Sequence, residues 1–215
     1  MAYIWLISAV VAPLVVLAAA PASALDAPSP GRLVAQADSP QLSPDDRILG
    51  KADAPVTIFE YASLTCPHCA AFEKEILPQI KTAWIDTGKA KLVFRDFPLD
   101  GSALKAAMVA RCAPPERFYG FIDMLFAQQT SWGTSGDPTA SLGRLAKLGG
   151  MSDEKFQACL KDDALQNKIL AGRLAGEKEF KVESTPTFLI NGKRIVGAQP
   201  FETFDEVLKS VSPKA

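Results

Sequence analysis

Hydrophobic and polar positions change rhythm several times along the chain, and each change marks a predicted element. Residues 3–20 are almost continuously apolar, and no Asp, Glu, Lys or Arg occurs before Asp26. Residues 56–62, rich in β-branched and aromatic side chains and preceded by Pro55, predict a strand. Residues 91–97, closed by Pro98, predict a second. Between them Phe72, Ile76, Ile80 and Ala83 or Trp84 recur at three- to four-residue spacing, which predicts a helix from Pro67 to about Thr87. Pro67 suits the first helical position, where its missing N–H has no intrahelical partner, and Pro78 predicts a kink. Strand, helix and strand make a βαβ unit with an expected right-handed crossover. The rhythm then turns helical over 102–112, 116–129, 137–148, 152–161 and 163–179, broken by Pro114-Pro115, by 131–136 and by Gly149-Gly150. Strand signals return at 187–190 and 193–196, joined by Asn191-Gly192, the dipeptide of a two-residue type I′ hairpin. A helix over 201–210 ends the pattern.

The first apolar run reads as an export leader. Ala22-Ser23-Ala24 has the small-x-small form that precedes signal cleavage, so residues 1–24 are expected to be a signal peptide. An uncleaved membrane anchor is the alternative, since the run approaches spanning length and no Lys or Arg precedes it. Either reading places the remainder outside the cytoplasm. Residues 25–49 hold Pro28, Pro30, Pro40 and Pro44 with few large apolar side chains, and read as a linker or a loosely docked arm. The rest is expected to be one α/β core over 50–99 and 181–215, interrupted by a helical insertion at 100–180. Charge changes this picture little: 23 Lys and Arg against 24 Asp and Glu leave a formal net charge of -1, without the basic excess of a nucleic-acid binder. A single histidine excludes metal sites built from several.

The chemistry concentrates in Cys66-Pro67-His68-Cys69, a C-x-x-C at the predicted strand-to-helix junction. A structural zinc site would need a second ligand pair, yet the other two cysteines, Cys112 and Cys159, stand far apart with no histidine near them. An inert disulfide is a second possibility, in a strained and exposed place. A redox-active dithiol fits the context best. An ordinary thiol titrates near ~8.5, whereas unpaired N–H groups at a helix start favour a thiolate. Cys66 sits at that start as nucleophile, Cys69 lies one turn inside as resolving thiol, and His68 adds a donor or a positive charge. Each unit of depression stabilises the thiolate by about 1.4 kcal/mol. Four units would make the pair more oxidising by on the order of 120 mV. No metal is expected at the site.

These residues resemble the DsbA-like thiol:disulfide oxidoreductases of the thioredoxin superfamily. The resemblance covers roughly 50–212 and rests on Cys66-Pro67-His68-Cys69, the strand before it, the helical block and Ser184-Thr185-Pro186-Thr187-Phe188. It implies a thioredoxin-like fold with an inserted helical domain. It further implies a cis Pro186 beside the dithiol, and Thr185 offering its backbone to a bound substrate strand. Glu60, six residues before Cys66, matches an acidic residue that sits beneath the dithiol in the family and helps move its proton; an outward-facing strand residue is its other reading. The implied activity is introduction of disulfides into reduced, unfolded proteins in the periplasm. The implied partner is a membrane DsbB-type reoxidant, and no cofactor is implied. A monomer is expected. The alternatives are an isomerase or reductase on the same fold, and a substrate-binding chaperone whose disulfide is incidental. Cys112 and Cys159 most simply pair in an oxidising compartment, which the resemblance permits without requiring. Free buried thiols and a regulatory bridge remain the other readings.

Overall fold

The computed structural model of the chain describes residues 39–213. The predicted leader at 1–24 and most of the predicted linker at 25–49 lie outside them. The sheet is built on β2 (Val56–Ala62), whose side chains are buried on both faces except for the half-buried Thr57. It runs parallel to β3 (Ala90–Asp96) and antiparallel to β4 (Thr187–Ile190), and β4 pairs in turn with β5 (Lys193–Val196). The β4–β5 turn puts Asn191 at φ 43 and Gly192 at φ 85, the positive pair that a type I′ hairpin demands. A fifth strand falls within the stretch read as linker: β1 (Ile48–Leu49) pairs antiparallel with β3, giving the order β1-β3-β2-β4-β5. Two residues of pairing are too short to show as alternation. The arm is held by more than its strand. Asp46 meets Arg95 at 2.7 Å, and the Tyr119 hydroxyl, which faces the Arg47 carbonyl at 2.8 Å, accepts from the Phe94 N–H at 3.2 Å.

The helix expected from Pro67 is continuous but not uniform. It comprises α1 (Pro67–Ala71), a π-helical turn at Phe72–Ile76, α2 (Leu77–Ile80) and a second π-helical turn at Lys81–Ile85. At Pro78 the structure carries a π turn, immediately before α2. Pro78 has no N–H for the carbonyl one turn back, and its ring crowds that carbonyl. Widening the preceding turn, so that the Leu77 N–H reaches the Phe72 carbonyl, relieves the conflict. This helical run and α9 (Phe201–Val211) cover one face of the sheet, where Phe72, Phe188 and Phe204 meet with ring centroids 4.4 to 5.4 Å apart.

The insertion holds α3 (Gly101–Cys112), α4 (Phe118–Ala127), α5 (Gln129–Gly133), α6 (Pro138–Leu148), α7 (Asp153–Leu160) and α8 (Asp163–Lys178). Asp100, Asp137, Ser152 and Asp162 cap four of these with side-chain hydrogen bonds, each worth about 1 kcal/mol. The break expected at 131–136 begins later than its composition suggests. Trp132 is fully buried and donates its Nε1–H to the Leu125 carbonyl at 2.8 Å, which holds another helical turn in place. Cys112 and Cys159 are bonded to each other, joining the end of α3 to α7. Both Cys66 and Cys69 pack into the apolar cluster that the insertion forms against Ala62 of β2 and Phe94 of β3.

Candidate redox site

Parallel pairing with β3 and antiparallel pairing with β4 bring the end of β2 beside the start of β4, through the register Tyr61↔Thr187. Past Ala62 the chain turns through Ser63, whose carbonyl accepts from the Cys66 N–H at 3.0 Å. Cys66 is extended (φ -79, ψ 119) and caps α1, with Pro67 as the first helical residue. Pro67 and His68 are exposed, whereas Cys69 is wholly buried and Cys66 is 6% exposed. Across from the dithiol the Thr185–Pro186 peptide is cis, and the Cys66 Sγ donates to the Thr185 carbonyl at 3.3 Å.

The two thiols are driven apart electrostatically. The Cys66 thiol is lowered from 9.0 to about 5, chiefly because the Cys69 thiol donates to its thiolate. Burial opposes this, and Thr185 with the N–H groups of Cys69 and His68 adds to it. The Thr185 hydroxyl is buried with no partner among the described residues, which leaves its hydrogen free for the sulfur. Burial pushes Cys69 strongly up, reinforced by its donation to Cys66 and by the charges of Cys66 and Glu60. One thiol is therefore anionic at neutral pH and the other keeps its proton.

Glu60 lies on the β2 face that also carries Val56 and Ile58, opposite Phe188 of β4. It is fully buried, and neither carboxylate oxygen has a partner among the described residues. Burial first, and then the charge of Glu73, raise its pKa well above the usual carboxylate range. Glu73 itself is raised to about 8 by burial and by Asp123. Asp123, on the exposed side of α4, is also raised by burial, against the pull of Lys81. The one sequence signal for Glu73 is its position one turn beyond Cys69 on the same helix.

Two further side chains reach the loop from the insertion. Gln129 donates its amide to the carbonyls of Leu64 at 2.9 Å and Cys66 at 3.0 Å. Asp100 accepts from the Thr65 hydroxyl at 2.6 Å. Nothing local in the sequence marks either. Cys112 and Cys159 belong to the insertion's core and make no contact with the dithiol in the hydrogen bonds observed; Cys159 faces the Met108 carbonyl at 3.1 Å. Among the described residues, no three His, Cys, Asp or Glu side chains are grouped to hold a metal ion.

A family model described as thioredoxin matches residues 42–210. The chain belongs to the thioredoxin family. Its relatives within that family are DsbA-like. The crystal structure of Wolbachia pipientis alpha-DsbA1 is 32% identical with a TM-score of 0.73, over 79% of this chain and 92% of that one. BdbD from Bacillus subtilis, in its oxidised form, is 27% identical with a TM-score of 0.72, over 80% and 96%. Among curated proteins, Disulfide bond formation protein D of Bacillus subtilis is 29% identical over 176 residues, covering 76% of this chain and 74% of its own. A relative from Rickettsia bellii is 34% identical over 153 residues. This thioredoxin-family chain spans only 59% of that protein's length, and 55% of the Rickettsia typhi relative. The thioredoxin fold expected from the sequence, with its inserted helical domain, is the one observed. Among the described residues no helix is long and apolar enough to cross a membrane.

Proposed function

We propose that the chain is an exported thiol:disulfide oxidase that introduces disulfide bonds into reduced, unfolded proteins in the periplasm. The observation that carries this reading is the opposition of the two thiols: Cys66 lowered to about 5 and Cys69 raised by burial, one helical turn apart. A pair whose reduced form is stabilised as a thiolate gives its disulfide away readily.

In the proposed cycle a substrate thiolate attacks the Sγ of Cys66. The Cys66–Cys69 bond breaks, and its electron pair leaves on Cys69. Cys69 is buried, so it takes a proton as it leaves, and Glu60, kept protonated by the same burial, is the donor assigned here. The charge of Glu73 acting on Glu60, and of Asp123 acting on Glu73, supports return of that proton to Glu60 from the exposed side of α4. A second substrate thiolate then attacks the substrate's own sulfur in the mixed disulfide. It expels Cys66 as a thiolate, a good leaving group because its pKa is low. The substrate has lost two electrons and two protons; one proton rests on Cys69 and the other has gone to solvent. Thr185 and the cis Pro186 hold the substrate strand alongside, Pro67 and His68 form the exposed rim of the site, and the Cys112–Cys159 bridge is structural. A membrane DsbB-type protein is the proposed reoxidant, and residues 1–24 the proposed signal peptide.

The reading is tested with purified oxidised protein and a reduced, unfolded test protein at neutral pH. Stoichiometric disulfide formation, lost in Cys66→Ser, is expected. Failure to oxidise the substrate overturns the proposal. An equilibrium potential as reducing as that of cytosolic thioredoxins would favour a reductase, and activity that survives loss of both cysteines would favour a chaperone.

A further inference from the structure

The loop that presents Cys66 is gripped from outside the thioredoxin core. From α5, the Gln129 side-chain amide donates to two main-chain carbonyls, those of Leu64 and Cys66, at 2.9 and 3.0 Å. Only the NH2 end of a glutamine can serve two carbonyls, so its orientation is fixed by its partners. On the other side, Asp100 divides its carboxylate. One oxygen caps α3 by accepting from the Ala103 N–H at 2.8 Å, and the other accepts from the Thr65 hydroxyl at 2.6 Å. The adjoining Leu99 N–H donates to the Ser63 hydroxyl at 3.3 Å. Every residue from Ser63 to Cys66 is therefore tied to the insertion or to the segment that opens it.

The Cys66 carbonyl matters most among these. It also accepts from the Ala70 N–H at 3.2 Å, as the first acceptor of the helical run. Fixing that carbonyl and the Leu64 carbonyl, with the Cys66 N–H held by Ser63, fixes the backbone on both sides of the Cys66 Cα, and so the direction of its Cα–Cβ bond, from which the sulfur's staggered positions follow. That direction decides whether the sulfur lies against the N–H groups that follow it and against Thr185 across the site. Without the grip, the loop between β2 and α1 keeps one main-chain turn bond, from the Cys66 N–H to the Ser63 carbonyl, a contact between the Ser63 and Thr65 hydroxyls at 3.2 Å, and the Cys66 bonds to Ala70 and Thr185.

We propose that Gln129, opposed by Asp100 through Thr65, is a positioning residue for the nucleophile: the helical insertion holds the Cys66 sulfur in the place where its anion is stabilised. This rests on the oxidase reading above and adds to it a function for the insertion.

The test replaces Gln129 by near-isosteric residues in the full chain. Q129M removes both N–H donors and keeps the length; Q129E replaces donors by acceptors. The reduced proteins are alkylated across pH, with a thermal melt on each as a check of folding. The midpoint of Cys66 alkylation is expected to rise by about one unit in Q129M, a tenfold smaller thiolate fraction at pH values below the midpoint. It should rise at least as far in Q129E, where carboxylate oxygens face the two carbonyls. T65V, which breaks the Asp100 bond, is expected to shift it in the same direction. An unchanged midpoint in a folded Gln129 variant overturns the proposal. If neither Gln129 variant folds, the bonds serve the fold rather than the sulfur, and the proposal is overturned as well. Alkylation needs no substrate protein, so the result stands whether or not the wild-type chain proves to be an oxidase.

Discussion

Cys66 differs from an ordinary cysteine through a few donors at close range, and each can be removed singly. Thr185 is the most accessible to test, because its buried hydroxyl serves no other described group. Thr185→Val keeps the shape and removes the donor; the Cys66 midpoint, near 5 in the native chain, should rise by about one unit, about 1.4 kcal/mol of thiolate stabilisation. Titration of the 240 nm thiolate absorbance of the reduced protein measures it. Glu60 acts on the other sulfur. Glu60→Gln removes the proposed proton donor for Cys69 and also the cost of a buried acid, so two opposite effects are expected in one variant. Attack on the oxidised pair should slow by roughly 10²-fold, the lower end of what a positioned acid contributes. Stability at neutral and alkaline pH should be unchanged or higher. Rapid-mixing kinetics with a small thiol and a denaturant melt separate the two. At this scale the sequence was informative about chemistry and silent about reach. Cys66, His68 and Cys69 announce themselves by spacing, whereas Gln129 and Asp100 act on that loop from 63 and 35 residues away, with no local pattern to find.

The elements were legible wherever a local rule governed them. Asn191-Gly192 specifies its turn because both residues tolerate positive φ, and the Asp and Ser caps announce helix starts. Where a tertiary contact overrode local preference, the reading failed. Trp132 extends helix into a stretch whose Ser, Thr and Gly suggest a loop. The short β1 pairs because Asp46 and Tyr119 tether the arm, not because Ile48 and Leu49 form a pattern. The packing of the helical run and α9 on the sheet rests on Phe72, Phe188 and Phe204, all fully buried. Phe204→Ala should therefore lower unfolding free energy by about 3–5 kcal/mol and loosen α9. Amide exchange should report this in α9 before the insertion is affected, since the two belong to separate apolar clusters.

For the molecule as a whole, redox state and stability are linked. Cys66 titrates near 5 when folded and reduced, against 9.0 for an ordinary thiol. Its thiolate therefore stabilises the reduced fold fully above about pH 9, progressively less towards pH 5, and not below it. Reduced protein should melt higher than oxidised protein at pH 8, and the gap should close as the pH falls to 5; calorimetry of both forms across that range checks it. The second bridge has no such dependence. Paired replacement of Cys112 and Cys159 by Ala opens a link across a sequence separation of 47. It should cost about 2–4 kcal/mol and leave the Cys66 midpoint in place. The antiparallel pairing of β2 with β4 carries a last consequence, one of timing. Cys66 and the Thr185 carbonyl it meets are 119 residues apart in sequence. A ribosome extending this chain releases the reactive cysteines long before the strand that faces them. Until β4 emerges and pairs, Cys66 lacks Thr185, and the growing chain carries an unfinished site. Synthesis completes the surroundings of Cys66 only once β4 has emerged, so a product interrupted before it would carry the motif without Thr185 across from it.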